Sequence, residues 1–363
     1  MRRTLVAPPL YSTEKFRRHH AIGVDTFCDS NHHFRGFLFY SYFSPVFYPL
    51  LKLYARFAIK IFCTRVVINK PGILKTKGPL LFAANHPNSF LDGMILTTLL
   101  DGPLYSLARG DAFKKSWVNK LLRKLKLLPV YRTSEGAENL EHNYTTFDAC
   151  RETFKEGGMV LIFSEGRCEN EWHLRPLKKG TARLSITSWK QGIPLTVLPT
   201  AFNYSSFRKF GKEVHLFFGE PIDRDEVLQH ETDGKLFLTF NEQLNNQLQK
   251  MVYEIAPNDK QTIRKVFSIK IKPSFYFLLL PAIVGWILHA PLFYSCKLFT
   301  ELFRNTGHYD SVLASTLLLL YPLYYLIAVV AGFYFSLWIG IALIFFLPFS
   351  AWACTQAKYQ LGL

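Results

Sequence analysis

The chain has 363 residues, which is too long for one small domain and suits one large domain with an appendage. Apolar residues make up 49% of it and aromatic residues 16%, a composition that is rich for a water-soluble enzyme and indicates contact with a membrane. Lys and Arg exceed Asp and Glu by 16, so some face should attract anions such as nucleic acid, anionic lipid or phosphorylated substrates. The apolar excess favours lipid, and we expect no nucleic-acid partner.

Residues 1–33 are predicted to be a disordered basic tail, because they contain Pro8, Pro9 and a cluster of basic and His residues but little periodicity. The cluster either touches anionic lipid or is simply solvated. No apolar core of a secretory signal is present in this stretch. The six cysteines have no CxxC or paired spacing, so we expect reduced thiols and a soluble part that faces the cytoplasm.

Residues 34–65 are predicted to contain an amphipathic helix at the membrane interface. Lys52, Arg56 and Lys60 fall four residues apart and form one narrow basic stripe, whereas apolar and aromatic residues cover the remaining, wider face. Such a helix lies well in a membrane interface. The alternative is that it packs on its own domain.

Residues 66–225 have the pattern of an α/β domain. Short apolar runs of strand length alternate with helical stretches at 111–126 and 140–155, which predicts a mixed or mostly parallel sheet with flanking helices. The predicted strands are 80–84, 104–107, 127–131, 159–163, 195–202 and 214–219.

Residues 226–272 are predicted to form an amphipathic helix followed by a basic collar. Apolar residues at helical spacing predict one long helix over 223–258, and five Lys and Arg residues between 260 and 272 form the collar. By the positive-inside rule, we expect the collar to lie on the cytoplasmic side of the membrane segments that follow, together with the soluble domain.

Residues 273–355 are predicted to contain two or three transmembrane helices, at 273–299, 311–330 and 333–352. The second and third contain no charge and are separated near Gly332. The first carries Pro281, His289 and Pro291, so it is either kinked or re-entrant. The polar pair His308 and Asp310 is interpreted as part of a loop at the membrane surface.

The stretch after the first predicted strand of the domain is the candidate active site. A strand that enters a polar turn and leaves as a helix presents side chains at the top of a sheet, where α/β enzymes place their chemistry. His86 and Asp92 lie in this stretch and suit a base with an orienting acid. No cluster has metal-ligand spacing, so no metal is expected.

Four blocks in order, NHPNSFLD, LPVYR, FSEGRCEN and IPLTVLPTAFNY, resemble those of the glycerolipid acyltransferase superfamily. This superfamily includes glycerol-3-phosphate, dihydroxyacetone-phosphate and lysophosphatidic acid acyltransferases, and the resemblance covers residues 73–222. It implies direct transfer of an acyl group from acyl-CoA or acyl carrier protein to a hydroxyl, without a covalent intermediate or a cofactor.

The resemblance also implies roles for individual residues. His86 is the expected general base, and Asp92 fixes its tautomer by accepting a hydrogen bond from the other ring nitrogen. Arg132 and Arg167 are expected to bind phosphate, because a guanidinium forms two parallel charge-assisted hydrogen bonds with it. The remaining expected substrate-binding residues are Asn85, Asn88, Ser89, Glu165 and Gly166.

The sequence departs from the commonest family pattern in its spacing. Five residues separate His86 from Asp92 where four are usual, and one extra residue on a continuous helix rotates a side chain by about 100°. The two can meet if the turn at Pro87 absorbs the insertion. Arg167 directly follows its glycine, one place early, and the usual glycine before Arg132 is absent. The looser spacing resembles a branch that includes glycerol-3-phosphate and dihydroxyacetone-phosphate acyltransferases.

The leading hypothesis is therefore a membrane-bound acyltransferase of phospholipid biosynthesis, acting on glycerol-3-phosphate or lysophosphatidic acid. Its expected partners are the bilayer, an acyl thioester, a phosphorylated glycerol acceptor and, as one choice of donor, acyl carrier protein. One alternative keeps the chemistry but uses a non-phosphate lysolipid such as a lyso-aminolipid. Another is a non-catalytic lipid-binding membrane protein.

Overall fold

The computed structural model describes residues 47–131, 142–267, 271 and 273–361. The predicted tail at 1–33 lies outside these residues, as do Arg132 and the collar residues Lys270 and Lys272. From Leu50 onward the chain forms one compact unit.

Eleven α-helices and seven strands occur in the described ranges. The helices are α1 (Phe47–Phe62), α2 (Phe90–Leu99), α3 (Ser116–Lys124), α4 (His142–Lys155), α5 (Lys179–Lys190), α6 (Arg224–Leu228), α7 (Asp233–Gln249), α8 (Lys260–Val266), α9 (Ser274–Glu301), α10 (Tyr309–Phe335) and α11 (Leu337–Gln360). The strands are β1 (Cys63–Ile68), β2 (Leu80–Ala84), β3 (Leu104–Arg109), β4 (Leu127–Val130), β5 (Met159–Phe163), β6 (Thr196–Tyr204) and β7 (Lys212–Phe218).

The seven strands form one mixed sheet, as the alternation of strands and helices predicts. Their order is β1-β7-β6-β2-β5-β3-β4, and every neighbouring pair is parallel except β6 and β7. The central strands β2 and β5 are nearly continuous apolar runs because both of their faces are covered. Ala84 pairs with Phe163 at the carboxyl ends of these two strands, so the loops that follow them are neighbours.

Two parts of the sheet domain differ from the sequence-based expectation. The predicted helix over 223–258 is broken between α6, which Asp223 caps by accepting the N–H groups of Asp225 and Glu226, and α7, which starts at Asp233. The positions predicted to pack on α7 are buried, among them Leu236, Phe240, Leu244 and Leu248. Strand β1 and helix α5 were not predicted.

Two of the three basic residues in the stripe of helix α1 form hydrogen bonds with the sheet domain. Lys52 Nζ donates to the carbonyl of Gly102 at 2.8 Å, and Arg56 donates to the carbonyls of Thr98 and Leu100 at 2.5 and 3.0 Å. These carbonyls lie at the carboxyl end of α2, where cations are favoured. The stripe thus contacts protein, while Leu50, Leu53 and Phe57 on the apolar side are exposed.

Helices α9, α10 and α11 are long and apolar enough to cross a membrane. At about 1.5 Å per residue they extend roughly 36–42 Å, beyond the roughly 30 Å of a hydrocarbon core. Pro281 and Pro291 lie inside α9, which is one continuous helix. His289 in the same helix donates from Nδ1 to the carbonyl of Gly285 at 2.8 Å. Ser336 alone separates α10 from α11.

Candidate active site

His86 lies in the turn after β2, and its ring is held from two sides. Nδ1 is 2.9 Å from Oδ2 of Asp92, and the ring stacks on Phe163 with 3.6 Å between centroids. The side chain is 14% exposed. Among the residues that the structure describes, none hydrogen-bonds Nε2. The imidazole is therefore fixed at one nitrogen and open at the other.

Asp92 lies in the first turn of α2 and is completely buried. Besides His86, its carboxylate accepts the backbone N–H of Asn88 at 2.9 Å and the hydroxyl of Tyr204 at 2.6 Å. Burial, together with the charge of Asp92, raises the pKa of Tyr204 well above its usual 10, so the phenol stays a donor. A carboxylate is tolerated inside a protein when donors surround it in this way. The three bonds aim one oxygen of Asp92 at Nδ1 of His86.

The extra residue between His86 and Asp92 is absorbed in the turn, where Ser89 has a positive φ of 52°. This conformation costs a non-glycine residue about 1–3 kcal/mol and requires support from the surroundings. Support comes from Cys168, whose Sγ accepts the N–H of Ser89 at 3.0 Å, and from His308, whose Nδ1 is 2.9 Å from Ser89 Oγ. Helix α2 then starts at Phe90 with Asp92 turned toward the imidazole.

The carboxylate of Glu165 ties the loop after β5 to the His86 turn. It accepts the backbone N–H of His86 at 2.8 Å and that of Arg175 at 3.0 Å. Burial raises the pKa of Glu165 to about 7, against the opposing effect of the two hydrogen bonds. The N–H of Glu169 also donates to the carbonyl of His86 at 3.2 Å. The bonds of Glu165 and Glu169 to the backbone of His86 therefore join the two loops at two points.

Gly166 and Arg167 follow in the same loop. Gly166 has a φ of +71°, and its own N–H donates to the carbonyl of Phe163 at 3.1 Å. The guanidinium of Arg167 is largely exposed and forms an ion pair with Glu169. A surface pair of this kind contributes at most about 1 kcal/mol, so an incoming anion can compete for Arg167.

The two asparagines of the turn are buried and bonded to protein. Asn85 accepts the N–H of Phe202 at 2.8 Å and donates to its carbonyl at 3.1 Å, which joins the turn to β6. Asn88 donates from Nδ2 to Asp310 at 3.0 Å, and its carbonyl accepts the hydroxyl of Ser311 at 2.9 Å. Both side chains thus hold the turn in place.

Several residues of this site were missed by the sequence reasoning. Asp310 forms an ion pair with Lys212, and both side chains are completely buried. The signal for Asp310 was a charge at the start of an apolar helix, which was interpreted as a surface loop. The signal for Tyr204 was its place at the end of the fourth block. The other missed residues are Cys168 and Ser311, whereas His308 and Asp310 were noted as a polar pair but not placed here.

The described residues contain neither an evident thiol nucleophile nor a metal site. Burial raises the pKa of the Cys168 thiol well above its usual value, so this cysteine stays protonated. Over 47–131, 142–267, 271 and 273–361, no group of three or more His, Cys, Asp or Glu residues could hold a metal ion. The oriented imidazole of His86 remains the candidate base of the site.

Comparison with known proteins relates part of the chain to a described family. The model of the family described as Acyltransferase matches residues 65–203, which include β2, β5, most of β6 and the turn of His86. No curated protein matches the chain. Among solved structures, the 1-acyl-sn-glycerophosphate (LPA) acyltransferase PlsC from Thermotoga maritima is similar, with 17% identity and a TM-score of 0.41 over 66% of this chain and 91% of that one. Residues 65–203 thus match an acyltransferase domain.

Proposed function

We propose that the protein transfers a fatty acyl group from an acyl thioester to a hydroxyl of a phosphorylated glycerol acceptor, glycerol-3-phosphate or lysophosphatidic acid. The observation that carries the chemistry is the bond between His86 Nδ1 and the buried Asp92, which leaves Nε2 open. This arrangement suits a general base, because a neutral imidazole can take a proton near pH 7.

The reaction proceeds by direct attack of the acceptor. Nε2 of His86 takes the proton of the acceptor hydroxyl as its oxygen bonds to the thioester carbonyl carbon. The carboxylate of Asp92 stabilises the imidazolium that forms, since it accepts the Nδ1 proton throughout. When the C–S bond breaks, Nε2 returns the proton to the thiolate sulfur. The products are an ester and a free thiol.

The phosphate of the acceptor is assigned to Arg167, with Arg132 as the second guanidinium expected from the sequence. Support comes from the exposure of Arg167 and from the hydrogen bond between Glu169 and His86, which brings this loop against the base. The glycine turn just before Arg167 keeps bulky side chains away from the anion.

A cavity among α1, α9, α10 and α11 is assigned to the lipid chains. Its volume is about 1450 Å³, above the roughly 300–1,000 Å³ of common ligand pockets, and its lining is mostly apolar. Met94, two residues after Asp92, belongs to the lining and links the cavity to the helix that carries the acid. Lys297 and Lys358 also line it, and their charge suits an anionic headgroup.

An acceptor panel tests this function with the purified full chain in detergent. The measurement is the acylated product formed from acyl-CoA with glycerol-3-phosphate, lysophosphatidic acid or a lyso-aminolipid. We expect Arg167→Ala to raise the acceptor KM about 10- to 100-fold with little change in kcat, because ground-state phosphate binding is lost. Lys190→Ala is the matched control, since Lys190 is a similarly exposed cation, paired with Asp233.

The panel also separates the alternatives. Turnover only with the lyso-aminolipid, and an unchanged KM in Arg167→Ala, would replace the phosphorylated acceptor by a non-phosphate lysolipid. Absence of any acyl transfer with every acceptor, despite retained vesicle binding, would favour a non-catalytic lipid-binding role.

A further inference from the structure

A buried ion pair joins a membrane helix to the sheet beside the active site. Asp310, in the first turn of α10, contacts the amine of Lys212, the first residue of β7, and neither side chain is exposed. The amine also lies 5.3 Å from the ring centre of Phe62. Buried ion pairs contribute little net stability, and they are best attested as devices that fix one arrangement of a structure. The reaction proposed above does not use this pair.

Asn88 connects this ion pair to the carboxylate beside the base. Its side-chain amide donates to Asp310 at 3.0 Å, and its backbone N–H donates to Asp92 at 2.9 Å. Its carbonyl accepts the hydroxyl of Ser311, which in turn accepts the N–H of Leu91 at 3.2 Å. The start of α10 therefore holds Asn88 by the side chain and the carbonyl of Asn88. The backbone N–H of Asn88 in turn contacts Asp92.

The turn between α9 and α10 supports the other half of the same segment. His308 contacts the hydroxyl of Ser89, the residue with the positive φ. The carbonyl of Gly307 accepts the thiol of Cys168 at 3.6 Å, and that thiol accepts the N–H of Ser89. The same carbonyl accepts the amide of Asn170 at 3.3 Å. The extra residue between His86 and Asp92 is thus accommodated against a membrane-helix turn.

We propose that Asp310 is a positioning residue for acyl transfer. It fixes Asn88, and through the backbone of Asn88 it fixes the direction in which Asp92 holds His86; this inference rests on the proposed function of that pair. Helices α9 and α10, which are long and apolar enough to cross a membrane, are accordingly part of the catalytic unit as well. The segment between His86 and Asp92, with its extra residue, and the turn between α9 and α10 form one structural unit.

The test measures kcat and KM for the full chain with Asp310→Ala and Asp310→Asn. Alanine removes the acceptor for Asn88, and we expect kcat to fall about 10- to 100-fold with both KM values within about threefold. Asparagine keeps an acceptor oxygen without the charge, and we expect it to restore kcat to within about threefold of wild type. Should alanine prevent folding because it leaves Lys212 unpaired, the double variant with Lys212→Met removes both charges, and the same loss is expected.

Tyr359→Phe is the matched control. The hydroxyl of Tyr359 joins α11 to Glu213, the residue next to Lys212, but contacts nothing in the His86 turn. We expect it to lower thermal stability without changing kcat. A folded alanine or double variant with wild-type kcat would overturn the inference, as would a loss that asparagine does not restore or that Tyr359→Phe matches. His86→Ala and Asp92→Asn in the same assay separate the two claims. If they are inactive while the Asp310 variants are not, only this inference fails; if they keep wild-type kcat, the proposed function fails.

Discussion

Replacing Tyr204 by Phe removes one hydroxyl and tests whether Asp92 is held by its surroundings. The hydroxyl donates to Asp92 Oδ1 at 2.6 Å, and both side chains are completely buried, so water cannot take its place. A hydrogen bond to a charged group contributes about 1.5–3 kcal/mol. If all of it were lost from the transition state, kcat would fall about 10- to 100-fold, because 1.36 kcal/mol is tenfold in rate.

The assay is thiol release from acyl-CoA, with thermal unfolding in detergent measured in parallel. We expect Tyr204→Phe to lower kcat within that range, to leave the KM of the acceptor unchanged and to reduce stability. Tyr253→Phe is the control, because the hydroxyl of Tyr253 is likewise 2.6 Å from its partner, Nδ1 of His215, away from the His86 turn. A Tyr204→Phe enzyme with kcat within twofold of wild type and unchanged stability would refute the argument that this hydroxyl holds Asp92.

Three further outcomes follow from the loop after β5. Because burial raises the pKa of Glu165 from 4.5 to about 7, the folded state binds more protons than the unfolded state in that window, and stability should fall as pH rises through it by about 3 kcal/mol. Glu165→Gln should flatten this dependence in thermal unfolding, and a slope equal to wild type would contradict the assignment. Gly166→Ala should cost about 1–2 kcal/mol, because its φ is positive, whereas Gly180→Ala, where a Cβ meets nothing, should not destabilise. Mass spectrometry should show that N-ethylmaleimide at pH 8 modifies Cys168 far more slowly than a free cysteine, since its pKa is raised; rapid labelling would argue against a protonated thiol.

The parts of the fold that follow from local pattern were predictable. The apolar runs at β2 and β5 and the three long apolar helices are each recognisable from one contiguous stretch of sequence. The polar turn between two apolar runs, with His86 and Asp92, was likewise visible without a structure. The break between α6 and α7 was missed because the apolar spacing of α7 was extended over the whole of 223–258, whereas α6 ends at Leu228 and α7 starts at Asp233.

The groups that surround the site could not be predicted, because they come from distant parts of the chain. Tyr204 and Asp92 are 112 residues apart, and Asn88 and Asp310 are 222 apart. Neither Tyr204 nor Asp310 belongs to a periodic sequence pattern that would identify its partner. The basic stripe of α1 presents a related difficulty, since its spacing is the same whether Lys52 and Arg56 meet lipid or, as observed, the end of α2.

The central claim is that His86 is the base of a direct acyl transfer, and one measurement tests it most directly. This is the initial rate of thiol release from acyl-CoA by the purified full chain, with and without glycerol-3-phosphate, for wild type and His86→Gln. His173→Gln is the control, because His173 also pairs with a carboxylate, Glu254, but at the surface. We expect acceptor-dependent release that falls at least about 100-fold in His86→Gln alone. Release by His86→Gln within a few-fold of wild type would contradict the account.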